Sequence, residues 1–117
     1  MKILGTGIDI IEVKRIKRTL NGNKGFARRV FTPGEIAYCE SKANKYQHYA
    51  VRFAAKEAIL KALGSKGIAL KDISISNLGT GKPSAVLGGK LKKIQQNIVV
   101  SLSHCQEYAV AQAIYYR

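Results

Sequence analysis

The residue order predicts an α+β fold in which an antiparallel sheet packs against one long central helix. Three observations predict it. Ile3 to Ile11 alternates Ile and Leu with Gly and Thr, the pattern of a strand whose small residues admit a second backbone at close range. Arg52 to Gly64 is almost entirely strong helix formers without proline, part of a helix opening near Asn44 and closed by a glycine of the kind favoured just past a helix C-terminus. Ile98 to His104 and Tyr108 to Tyr116 read as two strands joined by a tight turn, a C-terminal hairpin.

The remaining elements follow in order. Glu12 to Leu20 sets Val13, Ile16 and Leu20 at helical spacing with Lys14, Arg15, Lys17 and Arg18 between them, a short basic amphipathic helix stopped by Asn21-Gly22-Asn23. Phe26 to Phe31 makes a further helical turn with Arg28 and Arg29 exposed. Thr32-Pro33-Gly34-Glu35 opens the next helix: Thr32 is the N-cap, Pro33 takes the first position and Glu35 closes a capping box. That helix runs through Tyr38 to Ser41. Beyond the central helix the period changes. Ile73, Ile75 and Leu78 alternate with polar residues as a half-buried strand, Gly79 to Pro83 turns, and Ser84 to Leu87 is a brief strand. Gly88 to Gln96 reads as a surface helix around Leu91 and Ile94.

A chain of 117 residues without repeats or linkers makes one domain, residues 1–117. No apolar run is long enough to span a bilayer, and Met1-Lys2-Ile3-Leu4-Gly5 lacks signal-peptide architecture, so no membrane contact and a cytoplasmic location are expected. Cys39 and Cys105 stand far apart without metal-ligand spacing and read as reduced, structural residues. Twenty Lys and Arg against 7 Asp and Glu leave a net charge of +13. Such a field attracts nucleic acid, phosphorylated ligands or an acidic protein.

Carboxylates are scarce, so each one beside small residues counts. On the central helix Ala50, Ala54, Glu57, Lys61 and Gly64 fall on one stripe, flanked by Phe53, Ala58, Leu60 and Ala62, while Arg52 and Lys56 point away from it. Glu57 has two readings: an ordinary i,i+4 pair with Lys61 worth about 0.3–0.5 kcal/mol, or a ligand-facing group. Asp9 also has two. Asp9-Ile10-Ile11-Glu12 fits a capping box for the basic helix, worth about 1 kcal/mol. Alternatively Asp9 and Glu57 together hold a hard cation such as Mg²⁺, which takes one or two carboxylates and fills its shell with water and phosphate oxygens. Gly81-Lys82-Pro83 is either a plain surface turn or a phosphate contact. His104, in Ser101-Leu102-Ser103-His104, is either a hydrogen-bonded filler at a strand end or a site residue. No Walker loop, Ser-His-Asp order or Cys/His metal motif is present.

Taken together, Gly5-Thr6-Gly7-Ile8-Asp9-Ile10, Phe31-Thr32-Pro33-Gly34-Glu35, Arg52-Phe53-Ala54-Ala55-Lys56-Glu57-Ala58, Gly81-Lys82-Pro83 and Ser101-Leu102-Ser103-His104 occur in an order that resembles the holo-[acyl-carrier-protein] synthases, the small bacterial 4′-phosphopantetheinyl transferases. The resemblance spans essentially the whole chain. It implies a Mg²⁺-dependent enzyme of the 4′-phosphopantetheinyl transferase fold that moves the phosphopantetheine arm of coenzyme A onto a serine of apo-acyl carrier protein in fatty acid biosynthesis. The leaving group is adenosine 3′,5′-bisphosphate.

Carried over residue by residue, the resemblance makes Asp9 and Glu57 the metal ligands and sets Lys61 against a phosphate oxygen. Arg52, Gly81, Lys82, Pro83 and His104 match positions around the nucleotide and diphosphate of CoA. The nucleophile belongs to the partner, and the base that takes its proton is left open between water and a carboxylate such as Glu57. The basic helix becomes the docking face for the acidic carrier, with Arg15 and Arg29 as matches and Lys14, Arg18, Lys24 and Arg28 added on charge. The bland alternative for each of these charges is a solvated face. Gly25 departs from the pattern, since relatives carry a basic residue there, and Lys24 is the substitute. Relatives form homotrimers with sites at subunit interfaces, and the resemblance offers Val99, Leu102, Val110 and Ile114 of the hairpin for the three-fold axis.

Two rivals come from other classes. A nucleic-acid-binding module rests on +13 alone, and no recognised binding motif supports it, so no nucleic-acid partner is expected. A carrier-binding scaffold without catalysis is opposed by the intact Asp9, Glu57 and Lys61.

Overall fold

The computed structural model describes residues 1–64, 67–77 and 79–117. Small residues on two facing surfaces set its architecture. Strand β1 (Ile3–Glu12) pairs with β5 (Tyr108–Tyr116), and β5 with β4 (Ile98–His104), giving an antiparallel sheet of order β1-β5-β4. Gly5, Gly7, Asp9 and Ile11 alternate onto the inner face of β1, and Ala109, Ala111 and Ala113 onto that of β5. Helix α4 (Lys45–Leu63) answers with Ala50, Ala54, Ala55, Ala58 and Ala62, all buried. A Cβ added at Gly7 would run into the Ala58 carbonyl oxygen, and one at Gly5 into that of Ala62. The helix backbone therefore rests directly on the strand, and it ends at Gly64 in the left-handed conformation (φ 60°).

The basic helix α1 covers Val13–Gly22, followed by α2 (Phe26–Val30) and α3 (Pro33–Glu40). Thr32 caps α3 as expected: its Oγ1 accepts from the Glu35 amide at 3.2 Å and its own amide donates to Glu35 Oε1 at 3.0 Å. Fully buried Ile16, Ile59, Phe31 and Ile73 fill the space between helices and sheets, each worth about 1.5–3 kcal/mol.

Four expectations need correction. Asp9 is no cap, because β1 continues to Glu12. The N-cap of α1 is Glu12, its side chain makes no capping bond, and the Val13 amide is satisfied at 2.8 Å by the Glu107 carbonyl from the turn of the C-terminal hairpin. Strands β2 (Ile73–Asn77) and β3 (Pro83–Leu87) form a second antiparallel sheet rather than extending the first, burying Ile73, Ile75, Ala85 and Leu87. Leu78, expected to continue the β2 alternation, lies outside the described residues. Gly89–Asn97 winds as 3₁₀ turns, not as an α-helix. Leu91 and Ile94, three residues apart, lie on one side of this winding and both pack on the core. Finally, Leu102 turns inward against the core, whereas Val99, Val110 and Ile114 sit on the outer face of the sheet with Ile8 and Ile10. Pleating puts odd and even residues on opposite faces, so the hairpin's apolar set is split.

Cys39 is wholly buried, and desolvation pushes its thiol up to about 12. Cys105 is exposed and does not pack in the core, so the structural role expected of it is not borne out. Among the described residues no helix is long and apolar enough to cross a membrane.

Candidate active site

The close seat of α4 on β1 brings two carboxylates, 48 positions apart in the chain, to one place. Asp9 and Glu57 line the same cavity of about 380 Å³, together with Arg15, Ile16 and Thr19 of α1, Phe26 and Phe53. Burial holds the Glu57 carboxyl above its ordinary value; the Asp9 charge adds to the rise and Lys61 opposes it. The simple Glu57–Lys61 pair of the bland reading is not what forms. Lys61 Nζ reaches across to β1, 3.2 Å from Asp9 Oδ1, and donates to the Ile8 carbonyl at 2.8 Å. Among the described residues no group of three or more His, Cys, Asp and Glu gathers anywhere. The available donors are a pair of carboxylates with open space between them, a hard-oxygen set that suits Mg²⁺ and leaves most of its shell to water and phosphate.

The second half of the predicted site assembles on another face of α4. Arg52 is 2 % exposed. Its Nη2 donates to Asn77 Oδ1 at 2.8 Å, and Asn77 Nδ2 donates to the Gly81 carbonyl at 3.0 Å, so Arg52 is tied to the Gly81-Lys82-Pro83 turn through one side chain. Gly81 needs to be glycine there, with φ 87°. The Lys82 amide is bonded to Thr80 Oγ1 at 3.4 Å, leaving its side chain exposed, while Pro83 begins β3. His104 closes the group from the end of β4, its Nδ1 2.7 Å from Gln47 Oε1. The structure thus sorts the predicted residues into two sets: Asp9, Glu57 and Lys61 toward β1, and Arg52, Gly81 and His104 toward α3 and β2. Arg15 joins the first set through the shared cavity.

Lys14, Arg15, Arg18, Lys24, Arg28 and Arg29 are all exposed, and none of them belongs to an ion pair among the described residues. At Gly25 a Cβ would lie 2.6 Å from Arg29 Nη1, so the missing side chain leaves room for the Arg29 guanidinium to fold over this position.

Sequence reasoning missed two features. Lys56 does point away from the Glu57 stripe, but into a second buried region, where its Nζ lies 2.7 Å from Glu35 Oε1 and donates to the carbonyls of Val30 and Ile73 at 2.7 and 2.6 Å. The capping-box position of Glu35 was the available signal. Tyr38 and His48 beside Arg52 carried none, since nothing local in the sequence marks an aromatic that meets a distant arginine.

Comparison with known proteins shows the family. Residues 5–113 match the model of the 4′-phosphopantetheinyl transferase superfamily. A holo-[acyl-carrier-protein] synthase of Ruminiclostridium cellulolyticum is 52 % identical, over 92 % of this chain and 88 % of its own. The crystal structure of a holo-(acyl-carrier-protein) synthase from Bacillus anthracis in complex with CoA (3′,5′-ADP) superposes with a TM-score of 0.83 at 33 % identity, covering 99 % of this chain and 98 % of that one. The enzyme of Neisseria meningitidis superposes with a TM-score of 0.86 at 30 % identity, covering 98 % and 99 %. The chain belongs to the 4′-phosphopantetheinyl transferase superfamily, among its holo-[acyl-carrier-protein] synthases.

Proposed function

We propose that this chain transfers 4′-phosphopantetheine from CoA to a serine of an apo-acyl carrier protein, with Mg²⁺ held by Asp9 and Glu57. The observation that carries the reading is the convergence of those two carboxylates in one cavity, beside Lys61 and below the exposed Arg15. The serine oxygen attacks the phosphorus bearing the pantetheine arm, the bond from that phosphorus to the bridging oxygen breaks, and adenosine 3′,5′-bisphosphate leaves. Such a cation, held by Asp9 and Glu57, would supply charge neutralisation on the diphosphate and polarisation of the attacked phosphorus. Lys61, half exposed beside Asp9, offers a second cation to a phosphate oxygen. The serine proton goes to water or to a carboxylate at the cavity such as Glu57.

Arg52, Gly81, Lys82, Pro83 and His104 take the nucleotide end of CoA. They lie on a different face of α4 from the carboxylates, which favours an assembly in which one copy's carboxylates meet another copy's cations. A homotrimer of that kind is also supported by the exposed apolar outer face of the sheet, where Ile8 is 62 %, Ile10 65 % and Val99 45 % exposed. Lys14, Arg15, Arg18, Lys24, Arg28 and Arg29 form the docking face for the acidic carrier. The reading makes residues 1–117 one catalytic domain, working in fatty acid biosynthesis in the cytoplasm, in keeping with the free thiols of Cys39 and Cys105. The test is intact-protein mass spectrometry of apo-carrier proteins incubated with the enzyme, CoA and Mg²⁺. The carrier gains one phosphopantetheine; no gain on any of several carriers, with the enzyme shown to be folded, would end the proposal.

A further inference from the structure

Around Arg52 a set of cations and imidazoles converges, and Glu35, which lines the same cavity, is paired with Lys56. The guanidinium lies 4.2 Å from the centre of the Tyr38 ring, and Lys42 Nζ is 4.9 Å from the same ring. Tyr38 meets His48 edge-on at 5.5 Å, and His48 meets His104 edge-on at 5.3 Å. The charged and titratable groups facing His48 are therefore Arg52 from its own helix, Tyr38 from α3, Lys42 from the turn after α3, and His104 from β4. The neighbouring acids are committed elsewhere: Glu40 to Lys45 and the Tyr49 hydroxyl, Glu35 to Lys56. Arg52 Nε is buried and has no hydrogen-bond partner. An unused buried donor among like charges points to an anion.

His48 is the member of this group that can respond to one. Burial, then Arg52, His104 and Lys42, hold its imidazole below the ordinary value, so it is neutral near pH 7 while the site is free of ligand. A dianion set against these cations cancels their push and favours the imidazolium. In CoA the diphosphate has no group that titrates near neutrality, and the carboxylate pair with Lys61 is the set suited to it. The phosphate monoester at the other end of the molecule is doubly ionised above about pH 6, so it matches the His48 imidazole in charge and in pH range.

We propose that His48, its ring against that of His104, is a specificity-determining residue for the phosphate monoester of CoA, taking up a proton when that group binds beside Arg52. The inference rests on CoA being the donor substrate. Its sign follows from linkage: the complex holds more protons than the free enzyme, so preference for CoA over 3′-dephospho-CoA grows as the pH falls from about 8 to about 6.5, near the ordinary imidazole value. Below about pH 6 the phosphate itself takes a proton and the gain stops.

The experiment is calorimetric titration of the full-length protein with CoA and with 3′-dephospho-CoA at both pH values, in two buffers of different ionisation enthalpy. The ratio of the two Kd values is expected to rise about three- to tenfold toward the lower pH, one pKa unit of change being worth tenfold. Proton uptake is expected with CoA beyond that seen with dephospho-CoA. His48→Phe keeps a ring against Tyr38 and His104 while abolishing titration, and His48→Gln keeps polarity; both should lose most of the rise. A wild-type ratio that does not change with pH, or an equal rise in both variants, overturns the inference and leaves the transferase reading standing. Failure of the wild type to bind either compound overturns both.

Discussion

Lys56 Nζ lies 2.7 Å from Glu35 Oε1 with both side chains closed off from solvent, so one charge pair locks α4 to the capped start of α3. Glu35 Oε2 also accepts from the Ile75 amide at 2.9 Å, and Lys56 reaches the carbonyls of Val30 and Ile73, so α2, α3 and β2 all close on one ion pair. Burial works against the Lys56 charge and Glu35 works for it. Removing either partner strands the other. Lys56→Met and Glu35→Gln should each cost about 3–5 kcal/mol by urea denaturation. The double variant should cost less than the sum of the two, and an additive result would mean the pair is not coupled.

Gly7 carries the contact that positions Asp9. Because an added Cβ would strike the Ala58 carbonyl oxygen, Gly7→Ala must push β1 off α4. Overpacking of this kind costs about 1–3 kcal/mol or more. Gly34→Ala is the control, since nothing lies within 4 Å of its added Cβ, and its change should stay within about 0.5 kcal/mol. Denaturation midpoints of the two variants compare them directly, and equal midpoints would contradict the contact.

Much of this frame was legible in the sequence. Period-2 alternation marks β1 and the hairpin, Thr32-Pro33-Gly34-Glu35 marks a helix start, and Gly64 marks a helix end, because each of these signals is local. What escaped is what distance along the chain conceals. Lys56 reads only as a lysine turned away from the Glu57 stripe until Glu35, 21 positions earlier, is folded against it. Asp9-Ile10-Ile11-Glu12 reads as a cap until the Glu107 carbonyl satisfies the helix start instead. For the candidate site, spacing nominated Asp9 and Glu57 but left their meeting open, and the seat of α4 on Gly5 and Gly7 brings them together.

Glu57 gives the pH behaviour of metal binding. Its carboxyl is held up by burial first and by Asp9 second, so it takes a proton at a higher pH than an ordinary glutamate near about 4.3. Since the protonated form does not bind a cation, Mg²⁺ affinity should fall with acid while ordinary carboxylates are still charged. Carboxyl ¹³C NMR of the metal-free protein should show the raised titration in wild type and a lower one in Asp9→Asn. An unchanged Glu57 titration in Asp9→Asn would contradict the coupling.

Arg15 joins the carboxylate cavity to the basic face. Arg15→Glu should raise KM for the carrier protein about tenfold, with KM for CoA nearly unchanged, because it sets a negative charge against an acidic partner. The same reversal at Lys92, in the 3₁₀ segment and away from that cavity's lining, should leave both values within about twofold. Equal effects at the two positions would reduce docking to net charge alone.

Dependence of the transfer rate on Mg²⁺ in wild type, Asp9→Asn and Glu57→Gln tests the central claim most directly. Loss of several kcal/mol of charge stabilisation should lower kcat about a hundredfold or more in each variant at every Mg²⁺ concentration, with circular dichroism unchanged. Wild-type rates in both variants at the same Mg²⁺ concentration would contradict the assignment of Asp9 and Glu57 to the metal.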